Sequence, residues 1–83
     1  MTRTHYDLEI DLHGCHVDEA LARLEHVLYR PEPQSILVIH GNGTGTLRKA
    51  VREFVQHNSY IREYYWGEEI NAPGGDGCIV IYT

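Results

Sequence analysis

Apolar and acidic positions alternate in "LEIDL" at residues 8 to 12. Leu8, Ile10 and Leu12 point to one face, and Glu9, Asp11 and the following His13 to the other, as in a half-buried strand that Gly14 ends. From Val17 the period lengthens. Ala20, Leu21, Leu24, Val27 and Leu28 recur at helical spacing behind an N-cap position at His16, with Asp18 and Glu19 in the first turn, where the helix dipole favours anions. Pro31 and Pro33 bound this helix, because a proline disfavours helical geometry in the residue before it. "SILVIH" is unbroken rather than alternating and predicts a strand buried on both faces, in the middle of a parallel pair. Glycines then alternate at 41, 43 and 45. Leu47, Ala50, Val51, Phe54 and Val55 resume helical spacing, which predicts a second helix from about Thr46 to His57 with Asn58 as its C-cap. "YIREYYWG" reads as a third strand, "EEINAPGGDG" as a mobile polar loop and "CIVIY" as a last strand.

The order β-α-β-α-β-β contains a right-handed βαβ unit and predicts an α/β fold. A chain of 83 residues with 42% apolar content can bury one core, so residues 1–83 are expected to form a single domain with residues 1–6 as a flexible arm. No stretch approaches the roughly 20 apolar residues of a membrane span, and "MTRTHYDLEI" lacks the apolar region of a signal peptide. A cytoplasmic location is expected. There Cys15 and Cys78 remain thiols.

A formal charge of −5 works against general attraction to polyphosphate, but Arg48, Lys49 and Arg52 follow directly on the glycines. A glycine-rich turn between a strand and a helix bares backbone N–H groups and aims them, with the helix dipole, at one point. Gly41, Gly43 and Gly45 would form such an anion cradle, with Thr44 and Thr46 as caps or hydroxyl donors and Asn42 between them. The alternative is a tight turn whose glycines only satisfy geometry. "GNGTGTLR" is neither a P-loop, which ends in Gly-Lys-Ser/Thr, nor a dinucleotide fingerprint, whose third glycine falls three positions after the second.

Parallel strands of a βαβ unit end on the same sheet edge, so "DLHG" at 11–14 should bring Asp11 and His13 near His40. Imidazoles exchange protons near neutral pH and a carboxylate can orient one or hold a metal, which suits phosphodiester hydrolysis. The competing reading makes Asp11 a turn cap and the histidines polar strand ends. "HGCH" at 13–16 gathers three possible metal ligands, but structural zinc usually takes four protein ligands and Cys78 is distant. Tyr64 and Trp66 share one face of the third strand and Tyr65 takes the other. Core filling is their expected use, with base stacking as the alternative.

"IDLHG", "VDEAL", "IHGNGTGTLRKAVREFV" and "GGDGCIVIY", in this order across nearly the whole chain, resemble the Smr (small MutS-related) domain family. The resemblance implies a two-layer α/β sandwich, a four-stranded mixed sheet with two helices, similar to the C-terminal domain of translation initiation factor 3. It also implies nucleic-acid binding and endonuclease (nicking) activity on DNA or RNA. Its active-site elements fall here on Asp11, His13, His40, Gly41, Gly43 and Gly45. In this reading His40 is the general acid/base, Asp11 its orienter or a metal ligand, and His13 a second proton carrier or phosphate contact, while Arg48, Lys49 and Arg52 position the nucleic-acid backbone. Asn42 stands where the family often has lysine. A divalent cation, magnesium or manganese, is left open as cofactor. The expected partners are branched or structured nucleic acid and the ribosome, with no membrane. A non-catalytic binding module or a protein-interaction domain is the alternative.

Overall fold

The computed structural model describes residues 6–43, 45–72 and 75–83. Thr44 and most of the expected N-terminal arm lie outside the described residues. The elements are β1 (Leu8–Asp11), α1 (Val17–Leu28), β2 (Ser35–Ile39), α2 (Thr46–Gln56), β3 (Glu63–Trp66) and β4 (Cys78–Tyr82). They form the expected α/β fold: a four-stranded mixed sheet, in the order β1-β2-β4-β3, with two helices. β1 runs parallel to β2, while β4 runs antiparallel to both β2 and β3. The unbroken apolar run of β2 therefore marks a central strand between one parallel and one antiparallel neighbour, rather than the middle of a parallel pair.

Both helices pack on one face. Ile10, Leu12, Ile36, Val38, Ile79 and Ile81 from the sheet join Ala20, Leu24 and Leu28 of α1 and Val51 and Val55 of α2 in one core. Each fully buried Leu, Ile or Val contributes about 1.5–3 kcal/mol of transfer free energy. On the opposite face Leu37, Cys78, Val80 and Ala72 form a smaller cluster that Tyr6, Ile39 and Tyr82 cover. β2 and β4 are thus apolar on both sides. Tyr6, expected in the arm, packs against this cluster.

His16 is the N-cap of α1, as its spacing predicts. The N-cap of α2 is Gly45, with a left-handed φ of 88° that a side chain would strain. α2 ends one residue earlier than expected, with His57, in place of Asn58, as its C-cap; the His57 N–H returns to the Phe54 carbonyl (3.3 Å) and the Asn58 N–H to that of Val55 (3.5 Å). β3 is also shorter than "YIREYYWG", and the core-filling expectation holds only for Trp66, which packs against the main core. Tyr64 and Tyr65 are 38% and 37% exposed, because β3 is an edge strand at the margin of the helix layer.

The loop after β3 is not open coil. It contains two 3-10 turns, Gly67–Glu69 and Gly75–Gly77; Pro73 and Gly74 lie outside the described residues. Trp66 N–H donates to the Glu69 carboxylate (3.1 Å), Ala72 N–H to the Gly67 carbonyl (3.0 Å) and Gly75 N–H to the Ala72 carbonyl (2.9 Å). Gly67 is buried, and a Cβ there would collide with the Gly75 carbonyl oxygen and lie 2.6 Å from Cys78 Sγ. No helix among the described residues is long and apolar enough to cross a membrane.

Replacing Gly67 by Ala is expected to cost about 1–3 kcal/mol in urea unfolding, the usual range for overpacking. Gly43→Ala, which meets nothing within 4 Å, should stay within about 0.5 kcal/mol of the parent. Equal stability of the two variants would contradict the packed loop.

Candidate active site

β1 and β2 end side by side, with Asp11 in register with Ile39 and Leu12 N–H donating to the Ile39 carbonyl at 2.6 Å. Both helices begin at this end of the sheet, because α1 follows β1 and α2 follows β2. β4 starts there too, since Cys78 is in register with Ile39. The residue before it sets the local geometry: the Gly77 carbonyl accepts from the N–H groups of both His40 (2.9 Å) and Gly41 (3.0 Å). The expected cradle is therefore partly filled, and the Gly41 amide is corrected from ligand donor to structural donor. The amides of Asn42, Gly43 and Gly45 have no hydrogen-bond acceptor among the described residues.

A recess of about 290 Å³ is lined by these three residues together with His13, Cys15, His40, Leu47 and Arg48 among others. A larger groove of about 400 Å³ lies between β1 and α1, but its walls are mainly apolar and it contains none of the motif groups apart from the flanking β1 residues. Chemistry, not size, favours the smaller recess.

His40 is 3% exposed. Its Nδ1 lies 2.8 Å from the Gly41 carbonyl oxygen, which can only accept, so Nδ1 carries the hydrogen and Nε2 is a bare acceptor in the neutral ring. Nε2 is buried with no partner among the described residues. Burial holds the His40 pKa below the usual histidine value, Arg52 and Arg48 push the same way, and the Gly41 hydrogen bond and Asp76 oppose them.

His13 is placed quite differently, with its side chain 72% exposed and Nδ1 2.9 Å from Asp11 Oδ1. The same oxygen accepts the His13 N–H at 3.0 Å. These two bonds, the side-chain one first, hold the Asp11 carboxyl below the usual carboxylate range. Asp11 as orienter of His40 is thus corrected: strand alternation sends its carboxylate to the face away from His40, and its partner is His13. Two imidazoles line the recess, and the carboxylate stands behind the exposed one.

The cations are also reassigned. Arg48 lines the recess but pairs with Asp76 at 3.2 Å. Arg52 forms a two-pronged bond with Glu68 (2.8 and 2.9 Å), and its guanidinium lies 4.5 Å from the centre of the Trp66 ring. Arg52 holds Glu68 below the usual carboxylate range. The loop between β3 and β4 thus returns two acids to the arginines expected to meet phosphate, while Lys49 has no ion-pair partner among the described residues. Thr46 is the first residue of α2.

Sequence reasoning missed Gly77, Glu68 and Asp76, since hydrophobic spacing carries no signal for a pairing between loops far apart in the chain. It also missed Arg23, which reaches from α1 to the Asp11 carbonyl (3.1 Å) and Cys15 Sγ (3.4 Å) and braces the turn carrying His13. No group of three or more His, Cys, Asp or Glu side chains that could hold a metal ion occurs among the described residues. Asp11 and His13 are paired with each other through Oδ1 and Nδ1.

A family model described as the Smr domain matches residues 10–83. The chain is 36% identical over 81 residues to the "Endonuclease MutS2" of Geobacillus sp. (strain WCH70), covering 93% of this chain and 10% of that protein. It is 44% identical over 78 residues to the protein of the same name from Agathobacter rectalis, covering 90% of this chain and 10% of that one. The chain spans about a tenth of the length of these relatives. Among solved structures, the crystal structure of the Smr domain of Thermus thermophilus MutS2 superimposes with a TM-score of 0.73 at 31% identity, covering 88% of this chain and 92% of that chain.

The buried neutral state of His40 sets a pH dependence. Its folded pKa is lowered, so the unfolded chain takes up the proton first as pH falls, and the contribution of His40 is complete above the ordinary value of 6.5 and declines below it. Urea unfolding between about pH 5 and 8 should show stability falling with acidity, and His40→Gln should flatten that slope. An unchanged slope in the variant would contradict the buried neutral imidazole.

Proposed function

The chain belongs to the Smr domain family, and on that premise we propose that its recess binds a nucleic-acid phosphodiester, in DNA or RNA, and cleaves it hydrolytically as a nicking endonuclease. The observation that carries this reading is the pair of histidines in one recess in opposite environments. His40 is buried with a bare acceptor nitrogen, and His13 is exposed with a carboxylate behind it. Acid–base catalysis needs one group that takes a proton and another that gives one.

In the proposed reaction His40 Nε2 takes a proton from the attacking water as its oxygen bonds to phosphorus. The bond from phosphorus to the leaving sugar oxygen breaks, and His13, oriented through Nδ1 by Asp11, gives that oxygen a proton. The amides of Gly43 and Gly45 and the N-terminal end of α2 face the phosphate oxygens, supplying partial positive charge without a cation. Lys49 and Arg48 would contact flanking phosphates. The name "Endonuclease MutS2", carried by longer relatives, agrees with this reading.

A second reading, a module that holds branched nucleic acid or a ribosomal surface without cutting it, draws on the ion pairs that occupy Arg48 and Arg52 and on the charge of −5. Incubating pure protein with supercoiled plasmid and with structured RNA separates the two. The nuclease reading expects nicks or cuts that His13→Ala, an exposed and fold-neutral change, slows by about 10²–10⁴-fold. Binding without cleavage supports the module, and cleavage undiminished in His13→Ala rules out the assigned roles.

The ion pairs make a further prediction. Asp76→Asn should release Arg48, tighten oligonucleotide binding at low salt and steepen the dependence of log K on log salt by about 0.7–0.9. An unchanged salt slope would place Arg48 outside the contact set.

A further inference from the structure

Both helices cover one face of the sheet, and the strand register dictates what the other face presents. Glu9, Leu37, Val80 and Tyr65 form one row across all four strands, with Tyr82 and Glu63 neighbours in the next. Leu37 and Val80 are 5% and 0% exposed although no helix lies above them. Tyr6, Ala72 and Tyr82 roof them, and the Tyr65 ring meets that of Tyr82 edge-on at 6.0 Å. The outer surface is therefore tyrosine rings, with a carboxylate at each margin.

No strand position on this face carries Lys or Arg. Glu9 is exposed and has no ion-pair partner among the described residues. At the other margin Glu63 pairs at 3.2 Å with Arg62, the residue before β3, and accepts the Tyr65 hydroxyl at 3.4 Å. A guanidinium against a carboxylate beside a tyrosine is thus an arrangement this margin already contains. Nucleic acid would meet like charge here, whereas a cation gains both from the carboxylates and from the negative faces of the rings.

Strand spacing adds a length. Glu9 and Tyr65 lie three inter-strand steps apart, about 14 Å, which an extended chain crosses in about four residues.

We propose that the helix-free face of the sheet docks an extended cationic segment of another protein, with two arginines about four residues apart, one against Glu9 and the other over the Tyr65 and Tyr82 rings. This surface shares the helix-free face with the Asp11 carboxylate but uses none of the residues that line the histidine recess, and it does not depend on the reading given to that recess.

The test is an NMR titration of the isotope-labelled 83-residue chain with a Gly/Ser peptide carrying two arginines separated by three neutral residues. The isomer with adjacent arginines and a single-stranded oligothymidine serve as the other arms. The spaced peptide should shift the signals of Glu9, Leu37, Val80, Tyr65 and Tyr82 and bind better than its isomer. Tyr65→Ala and Glu9→Gln, both at exposed positions, should each weaken it by roughly two- to fivefold. Shifts confined to residues 41–48, equal binding of the isomer, affinity indifferent to both substitutions, or oligothymidine displacing the peptide from Tyr65 would each overturn the proposal.

Discussion

One carbonyl organises the functional end of this molecule. The Gly77 oxygen takes the N–H groups of His40 and Gly41 together, so the chain leaving β2 is fastened to the chain about to start β4. A buried backbone donor must find an acceptor, and here the acceptor comes from residues far away in sequence. The fastening fixes where the glycine loop runs and keeps His40 at the floor of the recess. Because the loop before β4 folds back to supply that oxygen, it also carries Asp76 and Glu68 to the first turns of α2, where they meet Arg48 and Arg52.

The two imidazoles differ because the sheet has an inside and an outside. His40 continues the alternation of Ile36 and Val38 toward the helices and stays neutral under burial. His13 lies past the end of β1, in the turn made with Gly14, and takes its partner from the solvent side. An acidic domain can still present an anion site on these terms, since a helix start and unbonded amides supply partial positive charge that net charge does not count. The surface pair of Arg48 with Asp76 costs little to exchange, because exposed ion pairs contribute only about 0–1 kcal/mol.

Most of the architecture was legible from periodicity. Alternation located β1, and unbroken apolar runs located β2 and β4, the central strands buried on both faces. Helical spacing found α1 and α2 to within a residue or so. What failed depends on neighbours that spacing does not encode: the direction of β4 beside β2, the exposure of Tyr64 and Tyr65 on an edge strand, and the fold of the β3–β4 loop. At the site, the parallel βαβ rule brought "DLHG" to the same edge as His40. It could not show which imidazole Asp11 serves, since one residue of strand alternation decides that. The ion pairs of Arg48 and Arg52 were invisible for a similar reason, their partners lying across a loop whose path Gly67 and Gly77 determine.

The measurement that bears most directly on this account is a long-range ¹H–¹⁵N spectrum of the histidine rings, taken across pH with and without a cleavage-resistant phosphorothioate oligonucleotide. The account predicts that His40 remains an Nδ1–H neutral ring near neutral pH and that the oligonucleotide shifts its Nε2 together with His13 and the Gly43 and Gly45 amides. A His40 ring that titrates like a solvent-exposed imidazole, or one that the oligonucleotide leaves unmoved while distant signals respond, would contradict it.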